Sequence, residues 1–225
     1  VATLLAWAVL ITSVLGVLGA PWLVWVMASG LHQSPQGLQT AVNLTGFMFP
    51  YIAFMSLVAL SAGILNTWRR FAVPAATPVL LNVCMIGSAW LGAPWLSAQG
   101  IEPIYSLAAG VMLGGVLQLA VQIPALMKLG VLPHISVSPS QIKAAWNDEG
   151  TRKILAMMGP ALLGVGVAQL SLVINTQIAS HLTPGSVSWI SYADRLMEFP
   201  IALLGVALGV VLMPQLAAAK AAADS

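Results

Sequence analysis

Charged residues are scarce in this chain. Of its 225 residues, eight are Lys or Arg and six are Asp or Glu, and none of these occurs before Arg69. A soluble globular domain usually carries about 25% charged residues, so this sequence cannot provide the surface of a water-soluble fold. The scarcity of charge excludes an ordinary soluble enzyme, a nucleic-acid-binding protein and a disordered segment.

Cysteine is nearly absent as well. Cys84 is the single cysteine and stands in an apolar stretch, which excludes a disulfide framework and a cysteine metal site. The chain begins with Val1 inside a hydrophobic run, without the basic region or cleavage site of a signal peptide. We interpret the chain as an internal piece of a longer protein, with a mature N-terminus as the alternative.

Long hydrophobic runs dominate what remains. Hydrophobic residues make up 59% of the chain and its mean hydropathy is +0.94. A membrane-spanning helix needs about 20 apolar residues, and these runs are continuously apolar rather than alternating as barrel strands are. The sequence therefore predicts an all-α, polytopic transmembrane helix bundle. Its six predicted spans are residues 2–29, 42–67, 72–97, 103–127, 154–182 and 187–219.

The basic residues orient the predicted spans. Seven of the eight Lys and Arg residues fall in or beside the connections that follow spans two, four and six, and the connections after spans one, three and five carry none. Cytoplasmic loops carry the excess of positive charge, so this face is predicted to be cytoplasmic. The seven residues are Arg69, Arg70, Lys128, Lys143, Arg152, Lys153 and Lys220.

One polar break divides the predicted bundle. Residues 128–153 separate four spans (1–127) from two (154–225), and we interpret them as a cytoplasmic linker between two membrane lobes. Ser138 followed by Pro139 has the pattern of an N-cap and first helical position. A short interfacial helix is expected to follow.

Polar and small residues recur within two of the spans. In span four they repeat every four residues and so form one stripe, and in span five they share a face. Two roles are open for these residues. They either make interhelical hydrogen bonds and close packing contacts, or they form the wall of a hydrated cavity. The residues are Ser106, Gly110, Gly114, Gln118 and Gln122 in span four, and Gln169, Thr176 and Ser180 in span five.

The last span contains three charges. Asp194, Arg195 and Glu198 share an arc of roughly 100° with Ser191 in a segment otherwise suited to lipid. A charge within the membrane costs at least about 2.5–3.5 kcal/mol and faces the bundle interior or water. The structural alternative is a self-contained Arg195–Glu198 pair. The functional hypothesis is that Arg195 faces a cavity and binds an anionic substrate, because a guanidinium suits phosphate, with Asp194 and Glu198 orienting it.

The sequence offers little support for catalysis. His32, His134 and His181 have no partner at metal-ligand spacing, and no Ser-His-Asp order, Walker loop or nucleotide-binding glycine pattern is present. We predict neither catalytic residues nor a metal or cofactor.

Several long motifs resemble one transporter family. The stretches "FPYIAFMSLVALSAGILNTWRRFAVPAATPVLLN" (49–82), "MGPALLGVGVAQLSLVINTQIAS" (158–180) and "GSVSWISYADRLMEFPIALLGVALGVVLMPQL" (185–216) closely resemble the MurJ (MviN) lipid II flippases of the MOP exporter superfamily. The resemblance covers nearly the whole chain.

The resemblance implies a fold, a substrate and a site. It implies a two-lobe bundle of fourteen helices, of which this chain matches helices three to eight. It also implies alternating-access translocation of lipid II, a polyprenyl-pyrophosphate glycolipid, across the bacterial inner membrane. Arg195 matches a cavity arginine of the family, and Asp194 and Glu198 are carried over beside it. Asn175 stands where some relatives have a sodium-binding aspartate, which argues against sodium coupling.

Further cavity and partner assignments follow from this interpretation. Cell-wall synthesis proteins are candidate partners besides lipid II and membrane lipids, and no nucleic acid is expected. The alternatives are another MOP-type exporter, of polysaccharide-linked lipids or drugs, and a polyprenyl-phosphate transferase, for which the loops lack a carboxylate or His cluster. The predicted cavity-lining residues are Gln118, Gln122, Gln169, Asn175 and Ser191.

Overall fold

The computed structural model describes residues 1–201, and every regular element in that range is a helix. This confirms the predicted all-α class. The α-helices are α1 (Ala2–Leu18), α2 (Ala20–Ala28), α3 (Pro35–Met48), α4 (Tyr51–Thr67), α5 (Ala72–Gly87), α6 (Ala93–Ala98), α7 (Ile104–Lys128), α8 (Pro139–Asn147) and α9 (Glu149–Ser180). A 3₁₀ segment covers Ser29–Gln33, a π-helical segment covers Ser88–Gly92, and residues 186–201 are helical.

Four helical stretches are long and apolar enough to cross a membrane. They are Pro35–Thr67, Ala72–Ala98, Ile104–Lys128 and Glu149–Ser180, and the bent pair α1 and α2 forms a fifth if it is counted as one span. The sixth predicted span, 187–219, lies in part outside the described residues. The described part of that span is helical.

The first span is bent rather than straight. α1 and α2 meet at Gly19 with an angle of 72°. Pro21 has no N–H to donate to the carbonyl four residues before it, so the helical ladder is interrupted there. The regular helical bonding lasts as far as Gly19, whose N–H donates to the carbonyl of Leu15 at 2.7 Å.

The second and fifth spans begin earlier than predicted, because capping residues extend them. Ser34 is the N-cap of α3 and its Oγ accepts from the N–H of Gly37 at 3.3 Å. At the start of α9, Asp148 Oδ2 accepts from the N–H of Thr151 at 2.9 Å. The hydroxyl of Thr151 donates to the same oxygen at 3.2 Å. The backbone hydrogen bond, and after it the hydroxyl bond, lower the pKa of Asp148 below its ordinary value. The carboxylate therefore remains charged, and its negative charge interacts favourably with the positive N-terminal end of the helix dipole.

α7 is the centre of the first four spans. Gly114 faces α5, where a Cβ atom would lie 2.7 Å from Leu81 Cδ1, and Gly115 faces α4, where it would lie 2.8 Å from Tyr51 Cδ2. At Gly110 a Cβ atom would overlap the hydroxyl of Ser88. The small residues of span four therefore allow two neighbouring helices to approach closely, as glycines do in membrane bundles.

Hydrogen bonds join segments that are distant in the sequence at both ends of the helices. At one end, Thr3 Oγ1 donates to the carbonyl of His134 at 3.2 Å, and Trp7 Nε1 donates to that of Ser136 at 3.1 Å. At the other end, Thr40 Oγ1 donates to Glu102 Oε2 at 3.1 Å. The first of these ends belongs to the face that the basic residues mark as cytoplasmic.

The short helix α8 begins where the sequence places it. Its N-cap is Ser138 and its first residue is Pro139. It contacts both the start of the bundle, at α1, and the start of α9. The interfacial position and the linker role of 128–153 stay predictions.

Candidate functional site in the last described helix

The charged residues of the last helix lie on an open surface of the described chain. The helix begins at Ser186, and the side chains of Asp194, Arg195 and Glu198 are all exposed, as is that of Ser191. At about 1.5 Å per residue, Arg195 stands roughly 14 Å along the helix from its start. The guanidinium is thus deep within a predicted span and not covered by neighbouring helices among residues 1–201.

A tight turn determines where this helix starts. Ser186 is buried, and its N–H and Oγ both donate to the carbonyl of Thr183, at 3.1 and 2.8 Å. Gly185 has φ +99°, a conformation that side-chain-bearing residues rarely adopt, and the Trp189 ring packs over it. The turn therefore places the charged residues at a defined distance from the end of α9.

Two of the predicted cavity residues lie on α9 at comparable distances from the same turn. Arg195 follows Ser186 by nine positions, and Gln169 and Asn175 precede the last residue of α9 by eleven and five. Both side chains are exposed. Counted along the helices, these amides bracket the level of Arg195, which is compatible with one polar region.

Two more of the five predicted cavity residues lie on α7. Gln118 is 2% exposed and Gln122 is fully buried, both on α7. Gln118 Nε2 donates to the carbonyl of Thr77 on α5 at 2.9 Å, and Thr77 Oγ1 donates at 2.7 Å to the carbonyl of Pro74. Pro78 leaves that last carbonyl without its usual helical donor. Gln118 thus contributes an interhelical hydrogen bond, one of the two roles considered for the stripe.

Gln122 has a more unusual environment. Among residues 1–201, neither its Nε2 nor its Oε1 has a hydrogen-bond partner, and Gln118 Oε1 has none either. Buried amides without partners lose the free energy of hydration that they have in water. The cavity-lining role of Gln118 and Gln122 stays a prediction.

A polar junction that the sequence did not predict joins the 3₁₀ segment to the end of α9. The N–H of Ser29 donates to Gln177 Oε1 at 2.9 Å, and Ser29 Oγ lies 2.9 Å from His181 Nε2. The N–H of Gly30 donates to Ser180 Oγ at 3.1 Å. Ser180 belongs to the polar face noted in span five, but 150 residues separate it from Gly30, so only the fold reveals the pair.

The two halves of α9 differ in burial. Residues 152–165 of α9 are exposed throughout, whereas Val173, Thr176 and Ala179 are partly or fully buried. α9 therefore packs on the first span near its C-terminal end and stands apart from the bundle along its first half. Among the described residues, no group of three His, Cys, Asp or Glu side chains forms a metal site.

This architecture is that of a polytopic α-helical membrane protein, with an exposed arginine in its last described helix. The sequence model of the family described as "Lipid II flippase MurJ" matches residues 1–225. The chain belongs to the MurJ family.

Curated relatives agree with this assignment. A lipid II flippase MurJ from Burkholderia cenocepacia is 52% identical over 223 residues, covering 99% of this chain and 42% of the relative. Probable lipid II flippases MurJ from Vibrio cholerae and Haemophilus influenzae are 42% and 40% identical, each covering 92% of this chain and 39% and 40% of the relative. The chain therefore spans about two fifths of the length of these relatives.

Proposed function

We propose that this chain is part of a lipid II flippase, which moves the polyprenyl-pyrophosphate-linked peptidoglycan precursor from the inner to the outer leaflet. Membership of the MurJ family supports this function, and the relatives carry that activity in their names. The proteins of this family are transporters, so the proposed role is translocation and not catalysis. The proposed location is the bacterial inner membrane.

The single observation that carries the proposal is the exposed guanidinium of Arg195. A charge in a span is costly unless it meets water or a counter-ion, and a diphosphate provides two groups that a planar guanidinium binds through paired hydrogen bonds. Asp194 and Glu198 lie one and three positions away on the same helix. Their proposed role is to orient Arg195 and to exchange with the diphosphate as its partner.

The packing of α9 supports an alternating-access cycle. In this proposal residues 1–127 belong to one lobe and 154–225 to the other, and the polar junction holds the lobes together at the extracytoplasmic end. The exposed first half of α9 then borders a space that opens toward the cytoplasm. Lipid II would enter that space from the inner leaflet and place its diphosphate at Arg195.

The test is replacement of Arg195 in the full-length protein. Arg195→Ala removes the guanidinium, and we expect lipid II reaching the outer leaflet to fall at least tenfold, because one charge-assisted pair contributes about 1.5–3 kcal/mol. The measurement is the accessibility of lipid II to an impermeant labelling reagent in cells that depend on the altered copy. Arg195→Lys keeps the charge without the planar fork and should give an intermediate value.

The control is Lys143→Ala, which removes an exposed basic residue of α8, outside both the proposed site and α9. It should leave accessibility unchanged at equal expression. Normal accessibility with Arg195→Ala would refute the assigned role. The same assay with a polysaccharide-linked lipid in place of lipid II separates the proposal from a MOP exporter of another substrate. Cell-wall synthesis proteins stay proposed partners.

A further inference from the structure

A groove between the start of α5 and the end of α7, on the face predicted to be cytoplasmic, combines two cations with an apolar floor. It encloses about 380 Å³, and its lining includes Arg70 and Lys128 together with Val121, Pro124 and Ala125. Among the residues that the structure describes, no acidic side chain lines it. Arg70 and Lys128 belong to the basic face, whereas Arg195 lies in a span and is not part of this groove.

The start of α5 adds a third positive feature. Arg70 immediately precedes Phe71, the N-cap of this 16-residue helix, and Phe71 makes no side-chain cap hydrogen bond. The first turn contains no acidic residue. Backbone N–H groups at a helix start carry partial positive charge and bind anions. The start of α5 therefore carries the same sign of charge as the two side chains, and Val73 of its first turn lines the groove.

The end of α7 does not oppose that charge. Its last carbonyls accept from backbone N–H groups, Gly130 to Met127 at 3.0 Å and Val131 to Leu126 at 3.1 Å. Lys128 in the last turn offsets the negative end of the helix dipole. An anion in the groove thus meets Arg70, Lys128 and the start of α5 without a facing negative group.

The position of the groove indicates which anion it takes. Trp68, two residues before Arg70, is exposed, and exposed tryptophans at span ends lie at the level of lipid headgroups. Val121 and Pro124 are exposed along α7, next to the basic pair. Basic pockets between transmembrane helices on the cytoplasmic side bind anionic lipid headgroups.

We propose that this groove binds an anionic glycerophospholipid of the cytoplasmic leaflet. The headgroup phosphate lies between Arg70 and Lys128 at the start of α5, and an acyl chain follows Val121, Pro124 and Ala125. The site is separate from the transport site and does not rest on the proposed function.

The test uses the full-length protein, delipidated in neutral detergent and titrated with phosphatidylglycerol while bound lipid is counted by native mass spectrometry. The variant Arg70→Gln/Lys128→Gln should weaken binding about thirtyfold, since each basic residue near a lipid surface contributes about a factor of five to six. The control Lys143→Gln/Lys153→Gln removes two exposed charges from the same face outside the groove and should bind as the unaltered protein does.

Two further variants keep the test independent of folding. Ala125→Leu fills the groove and keeps both charges, so it should weaken binding, whereas Arg70→Lys/Lys128→Arg keeps the charges and should bind within about threefold of the unaltered protein. Phosphatidylcholine should bind poorly, and millimolar inorganic phosphate should not displace the lipid.

Several results would overturn the proposal. They are equal affinity in the groove variant and its control, equal binding of phosphatidylcholine, displacement by inorganic phosphate, or no lipid on the unaltered protein. The last result would mean that another segment of the full-length protein fills the groove.

Discussion

Gly30 and Ser180 lie so close that a Cβ atom on Gly30 would overlap the carbonyl oxygen of Ser180. Gly30 is buried, and its N–H donates to the Ser180 hydroxyl at 3.1 Å. This contact joins the end of the first span to the end of α9. Any side chain at residue 30 must therefore separate the two segments.

We predict that Gly30→Ala opens the polar junction. Because the obstacle is backbone and not a movable side chain, the 3₁₀ segment must shift away from α9, which weakens the hydrogen bonds of Ser29 to Gln177 and His181. The measurement is cross-linking by a short thiol reagent between Ser29→Cys and His181→Cys, in a Cys84→Ala background. The yield should fall severalfold.

The matched control for this prediction is Gly63→Ala in α4. A Cβ atom at Gly63 would meet nothing within 4 Å, so the yield should stay at its starting value. A yield with Gly30→Ala equal to that of the control would mean that the close contact does not hold the segments together.

For the buried amide of Gln122 we predict that a substitution stabilises the protein. Replacing a buried polar side chain that lacks hydrogen bonds by an apolar one of similar size removes a desolvation cost of about 1–3 kcal/mol. Gln122→Leu should therefore raise the Tm of the purified protein. Gln118→Leu removes the hydrogen bond to the Thr77 carbonyl and should not raise it as much.

Transport measured on the same two variants separates the two roles considered for the stripe. If Gln122 serves only packing, Gln122→Leu keeps full transport together with the higher Tm. A loss of transport with an unchanged or lower Tm would instead favour the wall of a hydrated cavity, with water as the partner of the amide.

Arg69 has a backbone conformation that is strained for a residue with a Cβ atom. It ends α4 with φ +56°, and the N–H of Arg70 donates to the Leu65 carbonyl at 2.8 Å. This is the Schellman pattern, in which glycine is preferred at the position with positive φ. The same pattern ends α6 and α7, with Gly100 at φ +73° and Gly130 at φ +67°.

We therefore predict that Arg69→Gly stabilises the end of α4 by about 1 kcal/mol, which is the cost of the left-handed conformation for a residue with a Cβ atom. Arg69→Ala removes the same charge and keeps the strain, so the difference between the two variants isolates the backbone effect. The check is their relative Tm, and a Tm for Arg69→Gly at or below that of Arg69→Ala would contradict it.

Span positions could be predicted because they follow from the local hydropathy of the sequence. Hydrophobic length places spans three and four within one residue of α5–α6 and α7 at both ends. Spans two and five begin seven and five residues earlier, at Pro35 and Glu149, because capping by Ser34 and Asp148 continues a helix into polar sequence where hydropathy no longer indicates a span.

For the candidate site, the sequence shows where charges stand but not which side chains are buried. Arg195, Asp194 and Glu198 stand out because three charges in an apolar segment are visible without any knowledge of packing. Gln118 and Gln122 share the same periodicity as a cavity wall, yet both are buried. Periodicity identifies the face of a helix but not what covers that face.

The order of residues was thus enough to establish a helical membrane protein and most of its spans, since lipid imposes one length on every such chain. The orientation of the spans and the depth of the charges stay predictions. Two features depended on the assembled fold. They are the contact of Gly30 with Ser180 and the groove shared by Arg70 and Lys128. Each joins groups far apart in the chain or depends on how helices pack, and local sequence does not encode such distances.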